Sequence, residues 1–333
     1  MMNRYNRQEQ VLGSSAQKRI EEAAVLVAGA GALGSAAAET LVRAGIRKLI
    51  LIDRDHVELS NLQRQQLYTE ADAEAALPKV EAAARRLYDI RSDVEIETTV
   101  GELTPSFLKE HRDIDLAVDA FDNREARRLL NDAAQKYGFP WVYGAVSGTI
   151  GMAAPILAGG QPCYRCLEQA VPGPEESCDT AGVVSPAVQW TSAIQTAAAL
   201  RILGGSEDVT PVLQWMDVFT GRTKAMDLKR LAAEDCPACG SRPDYPALQE
   251  NMPSVRMLCG RRTVQIQPDR RIPFSRVKGK GMDIPWRENE FVLQLYPEGC
   301  RMVVFRDGRV LVHEAPDESE ALRLYEQYVG LMV

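Results

Sequence analysis

Ala24-Val-Leu-Val-Ala-Gly29-Ala-Gly31-Ala-Leu-Gly34 is the stretch on which the fold turns. Its first residues form an unbroken apolar run, read as a buried strand from Ala24 to Gly29, and Gly34–Ala44 reads as a helix. The glycines between them allow a tight turn and close backbone approach. The helix N-terminus adds free N–H groups and a positive dipole end. Gly29, Gly31 and Gly34, with Ala32 among them, are therefore expected to form a nucleotide-binding loop. Lys48–Asp53 (KLILID) reads as the next strand, and Asp53 at its end is placed to bind ribose hydroxyls. By itself the loop does not choose between NAD and ATP.

The same alternation continues outward. A polar arm and short helix occupy residues 1–22, and an Ala-rich helix is predicted over Asp72–Tyr88. Strands are predicted at Val94–Val100, Leu116–Phe121 and Trp141–Ser147, with a helix between the last two running to Tyr137. Alternating β and α units imply an α/β fold with a doubly wound, mostly parallel, Rossmann-like sheet. Later, Ile156–Gly160 reads as a strand and residues 161–182 as a long functional loop. Ser185–Leu203 reads as a helix with Pro186 at its first position, and Val212–Asp217 with Thr223–Leu228 as a hairpin. The expected organisation is one domain over residues 1–243 and a small α+β C-terminal module over 244–333. That module is expected to hold strands at Thr263–Gln267 and Phe291–Tyr296, a hairpin around Arg306–Arg309 and a helix over Glu318–Tyr328.

Composition narrows the function classes. A formal charge of -7 over 333 residues lacks the basic footprint of a general nucleic-acid binder. No apolar run approaches the roughly 18 residues of a membrane span, and the polar N-terminus lacks a signal-peptide core, so a cytoplasmic protein is expected.

The segment after Asp53 separates the nucleotide readings. It runs Asp53-Arg-Asp55-His-Val-Glu-Leu-Ser60-Asn61-Leu62-Gln63-Arg64-Gln65. A dehydrogenase has no chemical need for Asn-x-x-Arg-Gln here, whereas a triphosphate suits the forked charge of Arg64. Lys79, after Pro78, offers a second cation. Asp122, in Asp119-Ala-Phe-Asp122-Asn123, falls at the ligand edge of the sheet. There it can hold Mg²⁺ or cap the following helix.

With Arg4-Tyr-Asn-Arg7-Gln8, Arg127 and Asn131, and Cys163-Tyr-Arg-Cys166, these motifs resemble the ThiF/MoeB family, relatives of the ubiquitin-activating enzymes. The resemblance covers about residues 3–240. It implies that Asp53, Asn61, Arg64, Lys79 and Asp122 bind ATP and magnesium. Asp55, Ser60, Leu62, Gln63, Gln65 and Asn123, in the same segments, are counted with them. It also implies a homodimer in which Arg7 reaches the partner's phosphates. Departures are Ala32, and Ala75 and Ala76, where relatives often carry glycine.

Seven cysteines include two Cys-x-x-Cys pairs. Cys163, Cys166, Cys236 and Cys239 match the spacing of a structural, ribbon-type zinc site with four thiolates. The competing redox reading is weakened by Pro162 and Gly240, which suggest turns where a redox pair opens a helix. Cys178, in Cys-Asp-Thr-Ala-Gly-Val-Val, resembles the family cysteine that in the ThiF branch bonds covalently to the carrier. A free cysteine without a catalytic role is the alternative. The stretch Arg256–Lys280 holds eight basic residues against Asp269 alone, either a solvated surface or a docking face for an acidic carrier. Cys259 and Cys300 suggest no chemistry.

The implied activity is adenylylation, with ATP, of the C-terminal glycine carboxylate of a small ubiquitin-like sulfur carrier protein of ThiS or MoaD type. A cysteine desulfurase or sulfurtransferase would then donate sulfur for thiamine or molybdopterin synthesis. An NAD-dependent oxidoreductase and a non-catalytic scaffold subunit are the competing readings. Arg64 and Lys79 oppose the first, and their presence together with Asp122 opposes the second.

Overall fold

A computed structural model describes residues 4–159, 162–170, 182–249, 255–258, 263–268, 273–278, 284–297, 299–306 and 308–330. After helices α1 (Asn6–Leu12) and α2 (Ser14–Glu22), β1 (Ala24–Ala28) is buried along its whole length. It lies between two parallel neighbours, β2 (Lys48–Asp53) and β4 (Leu116–Asp119). An apolar run is what a strand covered on both faces requires. Helix α3 (Ala32–Ala44) connects β1 to β2, and β3 (Glu95–Val100) pairs with the outer side of β2. The chain then crosses back to β4 by way of α6 (Pro105–Glu110). Helix α7 (Arg124–Tyr137) leads to β5 (Trp141–Ser147), also parallel to β4. The strand order therefore reverses between β1 and β4, and their carboxyl ends open the crevice at which such sheets bind ligands.

Three antiparallel strands complete this eight-stranded sheet: β6 (Ile150–Ile156), β7 (Val212–Asp217) and β8 (Arg222–Asp227). The strand expected over Ile156–Gly160 lies earlier. Gly148 reverses the chain at φ +58, and β6 runs back along β5 as Ile-Gly-Met-Ala-Ala-Pro-Ile, a sequence with little β-branched character to betray it. The helix expected over Asp72–Tyr88 is interrupted. A short α4 (Glu70–Glu74) ends before Ala76, a non-glycine at φ +47, and α5 (Lys79–Ile90) restarts after Pro78. Part of the expected 161–182 loop is helical, as α8 (Tyr164–Ala170). Helix α9 (Ser185–Leu203) packs on α3, β5 and β6.

The chain divides into two compact units, residues 1–74 with 78–250 and residues 75–77 with 251–333. The second contains an antiparallel sheet ordered β11-β12-β13-β14-β10-β9, six strands among the described residues. These strands are β9 (Val255–Leu258), β10 (Thr263–Ile266), β11 (Trp286–Glu288), β12 (Val292–Leu295), β13 (Arg301–Phe305) and β14 (Val310–His313). Two helices accompany them, α10 (Phe274–Lys278) and α11 (Glu318–Tyr328). Alternate residues Val264, Ile266, Leu293, Leu295, Met302 and Val304 form one core with Ala321, Leu324 and Tyr325 of α11. Asp317 caps α11 by accepting from Glu320 N at 2.8 Å.

Candidate nucleotide site and cysteine cluster

The three loop glycines do different work. Gly29 sits at φ +102, and a Cβ there would lie 2.7 Å from Ala120 O. A Cβ on Gly34 would stand 1.9 Å from Gly29 O, so this glycine lets α3 close onto its own loop. Gly31 has neither constraint. Its φ is -77, and the nearest atom to an added Cβ is Gln65 Nε2, 3.8 Å away. The chain does not need a glycine there for packing. The missing side chain leaves open space beside the start of α3, as close approach of a phosphate requires.

Asp53 braces this loop. Its Oδ2 accepts from Ala30 N at 2.6 Å and its Oδ1 from Asp55 N at 2.8 Å. Each oxygen keeps a second lone pair for a further donor. Tyr68 donates its hydroxyl to Ala30 O, holding the loop from the other side. Gln65 is buried, and its Oε1 has no partner among the described residues. Asn61 is buried as well, with its Oδ1 accepting from Glu58 N at 3.2 Å to fix the turn Leu59–Asn61. Ser60 and Gln63 are exposed beside it, and Leu62 is half-buried. Arg64 follows, its guanidinium donating to Ser60 O at 3.0 Å from a half-buried position.

Lys79 begins α5 and is nearly buried, with Nζ 3.2 Å from Asp55 Oδ2. Lys79 N also donates to Asp55 O at 3.0 Å. Burial is the largest influence on the Asp55 carboxyl and opposes its ionisation, but Lys79, Arg54 and His56 together outweigh it. They hold the group well below the usual carboxylate range. Arg54 bonds Glu102 at 2.9 Å and feels the charge of Asp122. That coupling brings the residues following β2 electrostatically close to those following β4.

At the end of β4, Asp122 is exposed, and the helix cap proves to be its neighbour: Asn123 Oδ1 accepts from Ala126 N at 2.8 Å. The Asp122 carboxylate is not the cap; it accepts from Asn123 Nδ2 at 3.3 Å. Beneath it lies a buried node that single-residue reading does not find. Asp119 is fully buried and paired with Arg127 Nε at 2.9 Å. Gln195 of α9 donates to Asp119 O at 2.7 Å, and a Cβ on Gly144 would come within 2.2 Å of that glutamine. The available signal was Gln195, flanked by small and apolar residues within α9.

Arg7 stands exposed on α1. Gln8 of the same helix donates to Ala44 O at 2.8 Å, and Tyr5 packs where a Cβ on Gly45 would touch it. Both contacts lie at the C-terminal end of α3. That helix has 13 residues, so at about 1.5 Å per residue the glycine loop is about 20 Å from this anchor.

The ligand atoms of Cys163, Cys166, Cys236 and Cys239 all lie within 4.8 Å of one another. Sγ of Cys163 is 3.6 Å from that of Cys236, and Sγ of Cys166 is 3.6 Å from that of Cys239. A tetrahedron of metal–sulfur bonds near 2.3 Å has edges of about 3.8 Å, so the donor set fits a four-thiolate ion. Hydrogen bonding within the cluster pushes the Cys163 thiol up to about 12, raises that of Cys239 and holds Cys166 far below the ordinary thiol range. Contrary to the expected turn, Cys163-x-x-Cys166 opens a helix, α8. The knuckle geometry appears in the second pair. Gly240 N donates to Cys236 O at 2.9 Å, and a Cβ on Gly240 would sit 2.6 Å from that oxygen. The first pair is held by α7. Asn131 accepts from Tyr164 N at 2.9 Å and donates to Cys163 Sγ at 3.6 Å, while Arg165 forks onto buried Asp132 with two bonds of 2.7 Å. Cys178 and Cys259 lie outside the described residues, as do Arg261, Arg262, Arg270, Arg271 and Lys280 of the basic stretch.

No helix among the described residues is long and apolar enough to cross a membrane. The model of the ThiF family matches residues 5–238. The chain is 41% identical over 340 residues to the sulfur carrier protein ThiS adenylyltransferase of Bacillus subtilis strain 168, covering 99% of this chain and all of that protein. It is 36% identical over 274 residues to the sulfur carrier protein adenylyltransferase of Thermus thermophilus, covering 78% and 97%. Among solved structures, E. coli MccB with ATP superposes with a TM-score of 0.62 at 21% identity, covering 72% of this chain and 74% of that one, a likeness of fold.

Proposed function

The chain belongs to the ThiF family, and on that premise we propose that it adenylylates the C-terminal glycine carboxylate of a small ubiquitin-like sulfur carrier protein of ThiS type. The observation that carries this reading is the convergence at one sheet edge of four unlike groups. These are the uncrowded Gly31, Asp53 bracing the loop, the buried Lys79 ammonium with its Asp55 partner, and the exposed Asp122. A dinucleotide has no use for a buried cation there, whereas a triphosphate has.

In the reaction, a carboxylate oxygen of the carrier attacks the α-phosphorus of ATP. The bond to the bridging oxygen of pyrophosphate breaks, leaving an acyl-adenylate. A carboxylate is already a nucleophile, so no strong base is needed, and rate comes from positioning and charge. Lys79 and Arg64 hold the phosphates, and Asn61, Gln65 and the glycine loop shape their bed. A magnesium ion held by Asp122 would supply further positive charge to the phosphate oxygens. Arg7, anchored about a helix length from its own glycine loop, serves the site of a second copy in a homodimer. Zinc at the four cysteines is structural, because all four positions are taken by thiolate. The Cys178 thiolate displaces AMP from the acyl-adenylate to form a thioester with the carrier, and sulfide-level sulfur brought by an external donor of cysteine desulfurase or sulfurtransferase type then displaces the Cys178 thiolate, leaving the thiocarboxylate. The ThiS assignment, and with it thiamine synthesis in the cytoplasm, is supported by the full-length match to a protein of that name.

ATP–pyrophosphate exchange with purified ThiS-type and MoaD-type carriers tests the reading. Exchange stimulated by the ThiS-type carrier is expected. Stimulation only by the MoaD type would move the protein to molybdopterin synthesis, and no exchange with either would end the proposal.

A further inference from the structure

We propose that Arg127 is a positioning residue that sets the Asp122 carboxylate for its metal ion, an inference resting on the reading above that Asp122 holds magnesium with ATP. The evidence is how one guanidinium is spent. Nε bonds the Asp119 carboxylate at 2.9 Å, and Nη2 donates both to Phe121 O at 2.6 Å and to Gly144 O at 2.8 Å. Phe121 O is the carbonyl immediately preceding Asp122. The peptide before Asp122 is therefore pinned by Arg127, and the residue after it is pinned by its own cap bond to Ala126 N. Asp122 stands exposed between two clamps, both built from the first turns of α7.

The anchor behind Arg127 is rigid. Asp119 accepts from Phe121 N at 3.0 Å as well as from Arg127, and Gln195 holds Asp119 O at 2.7 Å. The guanidinium also lies over the Tyr143 ring at 5.2 Å. Strands β4 and β5 and helices α7 and α9 thus meet at this node. A simple buried ion pair would need the Asp119 contact alone. The two carbonyl bonds, one of them next to Asp122, are what a planar fork supplies and an ammonium cannot reproduce together. Residues behind a metal ligand orient it, and losing them typically weakens metal binding by roughly 10–100-fold.

The test measures binding rather than turnover. Calorimetric titration of the full chain with ATP, at a series of Mg²⁺ concentrations and without carrier, gives the Mg²⁺ level at half-maximal ATP binding. In Arg127→Lys that level should rise about 10-fold and saturating Mg²⁺ should restore ATP affinity. Asp122→Asn should also raise it, and Arg127→Lys should add nothing in the Asp122→Asn background. If Arg127→Lys does not fold, Asp119→Asn/Arg127→Gln removes both charges together, leaves no buried charge unpaired, and should shift the Mg²⁺ dependence in the same direction. Wild-type Mg²⁺ dependence in the folded Arg127 variant, or a full additional shift in the Asp122→Asn background, overturns the positioning role alone. An unchanged Mg²⁺ dependence in Asp122→Asn overturns the magnesium reading and this inference with it.

Discussion

Lys79 Nζ sits 3.2 Å from Asp55 Oδ2, and the Lys79 N–H closes a second bond to Asp55 O at 3.0 Å. The lysine that faces the glycine-loop edge is therefore held at both ends by the residue two beyond β2. Folding lowers the Asp55 pKa, so the pair contributes stability above the ordinary carboxylate value of 3.8 and loses it as pH falls below that value. Thermal melting from neutral pH to about pH 3 should show Asp55→Asn less stable than wild type at the upper end, with the gap closing in acid. A gap that stays constant across the range would show that the pair carries no folded-state charge coupling.

Two glycine substitutions should separate packing from binding. Gly34→Ala places a Cβ 1.9 Å from a backbone oxygen that cannot move aside, and should cost at least about 3 kcal/mol of stability or prevent folding. Gly31→Ala meets only an ordinary contact, Gln65 Nε2 at 3.8 Å, so its melting temperature should stay near wild type. Its ATP affinity should nevertheless fall by at least about 10-fold, or about 1.4 kcal/mol. Unchanged ATP binding in Gly31→Ala would mean that the phosphates do not pass this residue.

Arg64→Ala, Lys79→Ala and Asp122→Ala should each lower ATP–pyrophosphate exchange by about 10²–10³, or about 2–4 kcal/mol. Arg7→Ala should act alike. Mixing Arg7→Ala chains with Asp122→Ala chains should restore one complete site per heterodimer, and failure to complement would place Arg7 outside the site of a second copy.

Chelator-washed protein should retain one zinc per chain. Stripping it, or making Cys236→Ser, should lower thermal stability and loosen α8, because Cys163 and Cys166 flank the start of that helix. Fully folded protein without metal would remove the structural role.

Cys178→Ser should leave pyrophosphate exchange intact and reduce thiocarboxylate on the carrier, read by mass spectrometry. A normal thiocarboxylate yield would show that an external donor attacks the adenylate directly.

Local chemistry carried most of the nucleotide site. The apolar run Ala24–Ala28, the glycines and Asp53 are neighbours in sequence, and their meaning depends on short-range geometry that any βα turn reproduces. The parallel core, α7, α9 and the β7–β8 hairpin follow from period and length. The cysteine spacings likewise announced a four-ligand cluster before its sulfurs were seen within 4.8 Å of one another.

Other features depended on partners far away in the chain. Strand β6 has weak intrinsic strand character and exists because β5 and β7 flank it. The cap of α7 fell to Asn123 instead of Asp122, a one-residue choice made by packing. Arg127 entered only as part of the family motif and Gln195 not at all, and the fold alone sets both against Asp119, since a buried polar node is defined by distances across 8 and 76 residues of chain. The sequence by itself determined which chemistry is available: a glycine loop, two cations, a carboxylate beyond β4 and four thiols. Only the tertiary structure decided which groups are bound to one another and which face open space. Hydrogen bonds and burial act through proximity in three dimensions, and that proximity is created when the sheet brings the ends of β1, β2 and β4 side by side.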